Sequence, residues 1–126
     1  MSHVEPARVL VVDDKAEMAD MIADDLCDRG YEGVSVSSGA EALRLLRTQR
    51  FDVLVTDLRM PGMDGFALLK ESQSLDPSRP VILMTAFTAI DTAMRAFDVG
   101  AYQYLMKPFR LDALAQVLEK ALRRTS

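Results

Sequence analysis

The chain has 126 residues, enough for one sizeable hydrophobic core and too few for a second, so a single domain is expected. A hydrophobic share of 49% and a charged share of 27% exclude a disordered chain. A net charge of -4 argues against a nucleic-acid surface, one cysteine excludes an internal disulfide, and no apolar run approaches the roughly 20 residues of a membrane span. Residues 1–8 are polar, His3 included, with no apolar signal core, so the expected compartment is the cytoplasm.

The first element is a short aliphatic run, Val9-Leu10-Val11-Val12, which reads as a fully buried strand and ends on Asp13 and Asp14. Met21 to Cys27 reads as helix, which makes Cys27 a small buried or half-buried residue rather than a reactive thiol, and Gly30 closes that helix. Gly33-Val34-Ser35-Val36 alternates as an edge strand does. Ser38-Gly39-Ala40-Glu41 is a capping box opening a second helix through Ala42, Leu43, Leu45 and Leu46. A second buried strand, Val53-Leu54-Val55, runs out at Asp57, and Asp64-Gly65 opens a third helix through Phe66, Leu68 and Leu69.

Two prolines in Leu75-Asp76-Pro77-Ser78-Arg79-Pro80 make that stretch a loop. A third buried strand, Val81-Ile82-Leu83-Met84, ends at Thr85. Thr88 and Asp91 open a fourth helix through Ala93, Met94, Ala96 and Phe97, closed by Gly100. A second edge strand, Tyr102 to Met106, ends at Lys107, and Asp112 starts a last helix with Leu111, Leu114, Val117, Leu118, Ala121 and Leu122 at helical spacing. Five strands alternating with five helices predict an α/β fold: a doubly wound parallel sheet with right-handed crossovers and helices on both faces.

Asp13, Asp14, Asp57, Thr85 and Lys107 share one address. Each follows a strand, and the carboxyl ends of parallel strands line the crevice where such sheets bind ligands. Alone, each has a plainer reading: an aspartate there is a helix cap, Thr85 a turn residue, Lys107 before Pro108 a surface lysine. Together they are a site for a hard cation and a phosphoryl group. Three close carboxylates repel by several kcal/mol per pair at an effective dielectric of about 20, so they demand a cation. Oxygen donors without nearby His or Cys point to Mg2+ rather than zinc. Met60, Met63, Met84 and Met106 read as packing residues.

The joint pattern resembles the receiver domain of bacterial two-component response regulators. It is carried by Val12-Asp13-Asp14, by Thr56-Asp57-Leu58-Arg59-Met60-Pro61-Gly62-Met63-Asp64-Gly65, by Met84-Thr85-Ala86 and by Lys107-Pro108-Phe109, in order from about Val9 to the last helix. The resemblance implies a flavodoxin-like sheet of order 2-1-3-4-5, one receiver domain over residues 1–126 with its core at about 7–124, and a cis Lys107-Pro108 bond. It implies Asp57 as phosphoacceptor, Asp14 and Asp57 as direct Mg2+ ligands, Asp13 acting through metal-bound water, and the Arg59 main-chain carbonyl completing the set. Thr85 and Lys107 would bind the phosphoryl oxygens.

It further implies a switch in which Thr85 and Tyr104 move together and reshape the surface of the fourth helix, fifth strand and fifth helix. Phe87 and Arg59 occupy positions that tune phosphoryl lifetime in this family; a bulky Phe87 suggests slow hydrolysis. The domain would not be a turnover enzyme, catalysing only its own phosphorylation and dephosphorylation. Its partners would be a sensor histidine kinase and an output domain or a second copy through the switching surface, without membrane or direct nucleic-acid contact. The motifs are similar to receivers of nitrogen-regulatory-class enhancer-binding activators, so the chain is either excised from a longer regulator of transcription or a complete single-domain regulator. Another class, phosphatases of the haloacid-dehalogenase type, is expected to show Asp-x-Asp after the first strand and a cap, neither of which is read here.

Overall fold

The computed structural model describes residues 5–86 and 100–125. Five strands, β1 (Arg8–Val12), β2 (Glu32–Val36), β3 (Val53–Asp57), β4 (Val81–Ala86) and β5 (Gln103–Lys107), form one parallel sheet of order β2-β1-β3-β4-β5. Four helices are described: α1 (Ala16–Asp28), α2 (Gly39–Thr48), α3 (Gly65–Leu75) and the C-terminal α4 (Leu111–Thr125). Five were expected; the segment assigned to the missing one, with Thr88, Asp91 and also Phe87, lies outside the described residues.

The sheet separates two cores by the two-residue period of its strands. Leu10, Val12, Leu54 and Leu83 point to one face and pack with Ala42, Leu46, Leu68 and Leu69 of α2 and α3. Val9, Val11, Val53, Val55, Ile82 and Met84 point to the other and meet Ile22 and Leu26 of α1 with Leu114 and Leu118 of α4. The central strands are therefore apolar at nearly every position, as strands covered on both faces must be.

Local chemistry sets the helix ends. Ser38 Oγ accepts from Glu41 N at 3.2 Å and Asp64 Oδ1 accepts from Ala67 N at 2.9 Å, satisfying first-turn amides that have no intrahelical partner. Gly30, at φ +99, ends α1: its N–H donates to Cys27 O and Tyr31 N–H to Leu26 O, the paired bonds of a Schellman cap. Gly65 is required by space, because a Cβ there would lie 2.5 Å from Asp57 O and 2.8 Å from Leu58 Cα. That close approach lets α3 start directly against the end of β3.

Two packing expectations are corrected. Cys27 is exposed, because the buried stripe of α1 runs through Ala19, Ile22, Ala23 and Leu26, and one further residue turns about 100° off it. Its Sγ accepts from Gly33 N at 3.4 Å and lies 3.7 Å from Gly33 O on the edge strand. Met106, at 39% exposure, faces outward from the edge strand β5, whereas Met60 and Met84 are buried.

Candidate functional site

Register brings the strand ends together. Val12 is level with Thr56 and Asp57 with Met84, so Asp13, one residue past β1, stands beside Asp57, the last residue of β3. Thr85 pairs with Met106 and Ala86 with Lys107, which sets the hydroxyl and the ammonium at the same edge. One carboxylate oxygen each from Asp13, Asp14 and Asp57 lies within 4.8 Å of the others. Lys107 Nζ donates to Asp13 Oδ2 at 2.7 Å and stands 3.4 Å from Asp57 Oδ2.

The environments of these groups differ. Asp13 is fully buried, and its second oxygen accepts from Lys15 N at 2.9 Å; Asp57 is 9% exposed, and Asp14 faces solvent. Burial pushes the Asp57 carboxyl above its ordinary range. Asp13 and Asp14 add to that push while Lys107 opposes it. For Lys107 burial works against the charge, but Asp13 and Asp57 outweigh it and hold the ammonium above the usual lysine value. Thr85 is 2% exposed, and its Oγ1 has no hydrogen-bond partner, the one such sealed side-chain atom among the described residues. Arg59 is exposed on the loop after β3, Tyr104 is half-buried against the core beside α2 and α3, and the Lys107-Pro108 peptide is cis.

The direct Lys107–Asp13 pair was not foreseen. The two residues are 94 positions apart, and no local pattern in either motif signals which carboxylate the ammonium chooses. The roles of Gly65 in seating α3 and of Lys15 N in holding Asp13 were likewise missed; the Asp64-Gly65 pair at a helix start was the available clue for the first.

The sequence model of the response regulator receiver domain matches residues 9–119. This chain belongs to that family. The receiver is 43% identical over 117 residues to the transcriptional regulatory protein ZraR of Escherichia coli strain K12, an alignment covering 93% of this chain and 26% of that protein. It is 41% identical over 114 residues to the DNA-binding transcriptional regulator NtrC of the same strain, covering 90% and 24%. Among solved structures, the receiver domain of the Francisella response regulator 1452 superimposes with a TM-score of 0.88 at 32% identity, covering 95% of this chain and 99% of that one. NtrX from Brucella abortus, in complex with ATP, superimposes at 0.89 with 34% identity, covering 94% and 27%. The receiver thus spans about a quarter of the length of the curated relatives it matches. No helix among the described residues is long and apolar enough to cross a membrane.

In metal-free buffer the receiver is expected to be more stable with Asn at position 57. Asp57→Asn removes a charge held near two others, a gain of about 1–2 kcal/mol after the lost Lys107 attraction is counted. The sign with pH follows from the raised Asp57 pKa: its contribution to stability is present below the unfolded-state value and lost as pH rises through the folded one. The stability gap between variant and wild type should therefore be widest near pH 7 and close as the pH falls toward about 4. Thermal unfolding by circular dichroism in EDTA, across that range, measures it.

Proposed function

We propose that the receiver accepts a phosphoryl group from a histidine kinase on Asp57 and that this switches an output, in keeping with its transcription-regulating relatives. The reading is supported above all by one observation: a nearly buried Asp57 carboxylate with two others within 4.8 Å and an ammonium at 3.4 Å, at the carboxyl edge of a parallel sheet. Three carboxylates against one lysine leave excess negative charge, and an all-oxygen donor set fits Mg2+. Asp14 and Asp57 would hold the ion directly, Asp13 through water, with the Arg59 main-chain carbonyl. When bound, Mg2+ would neutralise these carboxylates and charge on the phosphoryl oxygens.

The chain's own residues do the rest. An Asp57 oxygen attacks phosphorus in line while the P–N bond to the donor histidine breaks, its electron pair leaving on the imidazole. An acyl phosphate forms on Asp57. Lys107, anchored on Asp13, is held close enough to meet the equatorial oxygens, and the unpartnered Thr85 hydroxyl donates to one of them. Attack of water on the phosphorus of the acyl phosphate breaks its bond to the Asp57 oxygen, releasing inorganic phosphate and returning the carboxylate, so the domain resets itself without turning over a substrate.

Movement of Thr85 toward the phosphoryl group, with Tyr104 shifting on β5, would alter the surface around β5 and α4. A bias of a few kcal/mol, about that needed to invert a two-state population, is enough. This surface would serve an output domain of a longer regulator or a second copy. Thr85→Val should leave the unphosphorylated fold as stable or raise it by about 1 kcal/mol, since a sealed unpaired hydroxyl is removed. The same variant should lose the extra stability that phosphorylation confers on the wild type; urea midpoints with and without phosphorylation compare the two.

Intact mass after incubation with acetyl phosphate tests the proposal as a whole. A gain of one phosphoryl group that requires Mg2+ supports it. No gain from either acetyl phosphate or a phosphorylated histidine donor would contradict it.

A further inference from the structure

The amino ends of β4 and β5, at the opposite edge of the sheet, carry a feature that the phosphoacceptor chemistry does not use. Arg79, two residues ahead of β4, is only 7% exposed. Its Nε donates to Ser72 Oγ of α3 at 3.1 Å, and Ser72 is itself fully buried. No ion pair is made by its guanidinium among the described residues. The neighbouring carboxylate, Asp76, is engaged by Ser78, one of its oxygens accepting from Ser78 N at 3.0 Å and Ser78 Oγ at 2.7 Å. Burial disfavours the Arg79 charge, and the field of Asp76 offsets this only in part.

A guanidinium keeps its charge and offers five N–H donors, of which one is used among the described residues. A charge nine-tenths buried with no counterion among the described residues is costly, so the remaining donors call for an acceptor. They have somewhere to find one. Arg79 lines an adjoining cavity of about 570 Å³, and none of its guanidinium nitrogens is both sealed and unpaired. Gln73, Ser78, Gly100 and Tyr102 line it with Arg79, the one charged residue in the wall among the described residues. That wall is constructed: Gln73 Nε2 donates to Gly100 O at 3.2 Å, and Gly100, at φ +98, leaves room that a Cβ 2.2 Å from Gln73 Nε2 would destroy.

We propose that this cavity is a second ligand site, taking a small oxyanion, phosphate or carboxylate, on the terminal amino groups of Arg79. Its volume suits a small molecule, and the fork of the guanidinium matches two oxygens of either group. The site is independent of Asp57.

Amide chemical shifts of the 126-residue chain, titrated separately with phosphate, acetate and chloride at matched ionic strength, test it. Saturable shifts at Ser78, Gly100 and Tyr102 with phosphate, acetate or both, and none with chloride, are expected, and the pattern assigns the oxyanion. Arg79→Lys keeps the charge but not the fork, and should weaken binding by about tenfold. Arg79→Gln should abolish it. Absence of saturable shifts in the wild type, equal shifts with chloride, or affinity unchanged in Arg79→Lys would overturn the proposal, and the first two need no variant that folds.

Discussion

Asp57→Asn is expected to abolish Mg2+-dependent incorporation of a phosphoryl group from acetyl phosphate, a loss of about 10³-fold or more. The amide matches the carboxylate in shape and leaves Asp13, Asp14 and Lys107 in place, so the pocket persists while the proposed nucleophile is gone. Because the same variant should be the more stable one in metal-free buffer, loss of incorporation cannot be charged to unfolding. Intact mass for the product and circular dichroism for the fold, on the same samples, separate the two effects. Incorporation at the wild-type rate would move the phosphoacceptor away from position 57.

Lys107→Met should cost both stability and rate. Asp13 is completely buried, and its two anchors are Lys107 Nζ at 2.7 Å and Lys15 N at 2.9 Å. Removing the ammonium strands a buried carboxylate, a penalty of about 3 kcal/mol in metal-free buffer, and Mg2+ should restore a larger share of stability to the variant than it adds to the wild type. Loss of one pre-placed cation from the phosphoryl oxygens should slow incorporation by about 10²–10³-fold even at saturating Mg2+. Urea unfolding with and without Mg2+, followed by incorporation rates, measures both. A variant as stable as the wild type without metal would mean that Asp13 is balanced by something other than Lys107.

The sheet was legible because its central strands are apolar at consecutive positions, a pattern that only strands covered on both faces carry, and because Ser38, Asp64 and Gly30 mark helix ends by chemistry that needs no tertiary context. The meeting of Asp13, Asp14 and Asp57 was legible for a related reason. Once the strands are parallel, residues just past their ends must converge, whatever their separation along the chain.

Properties decided by neighbours distant in the chain were less readable. Cys27 lies one residue beyond the buried stripe of α1, and composition alone favoured burial for a cysteine in an apolar helix. Arg79, read as part of a plain proline-bounded loop, is buried because α3 supplies Ser72 beneath it. Similarly, the choice of Asp13 by Lys107 depends on how β1 and β5 flank β3 and β4, geometry that exists only in the assembled sheet.

The most direct test is the position of the phosphoryl group itself. After incubation with acetyl phosphate and Mg2+, borohydride reduction converts an aspartyl phosphate to homoserine, and tandem mass spectrometry reads where the conversion has occurred. Homoserine at position 57 alone is the result expected; conversion at Asp13 or Asp14 with Asp57 intact would contradict the account.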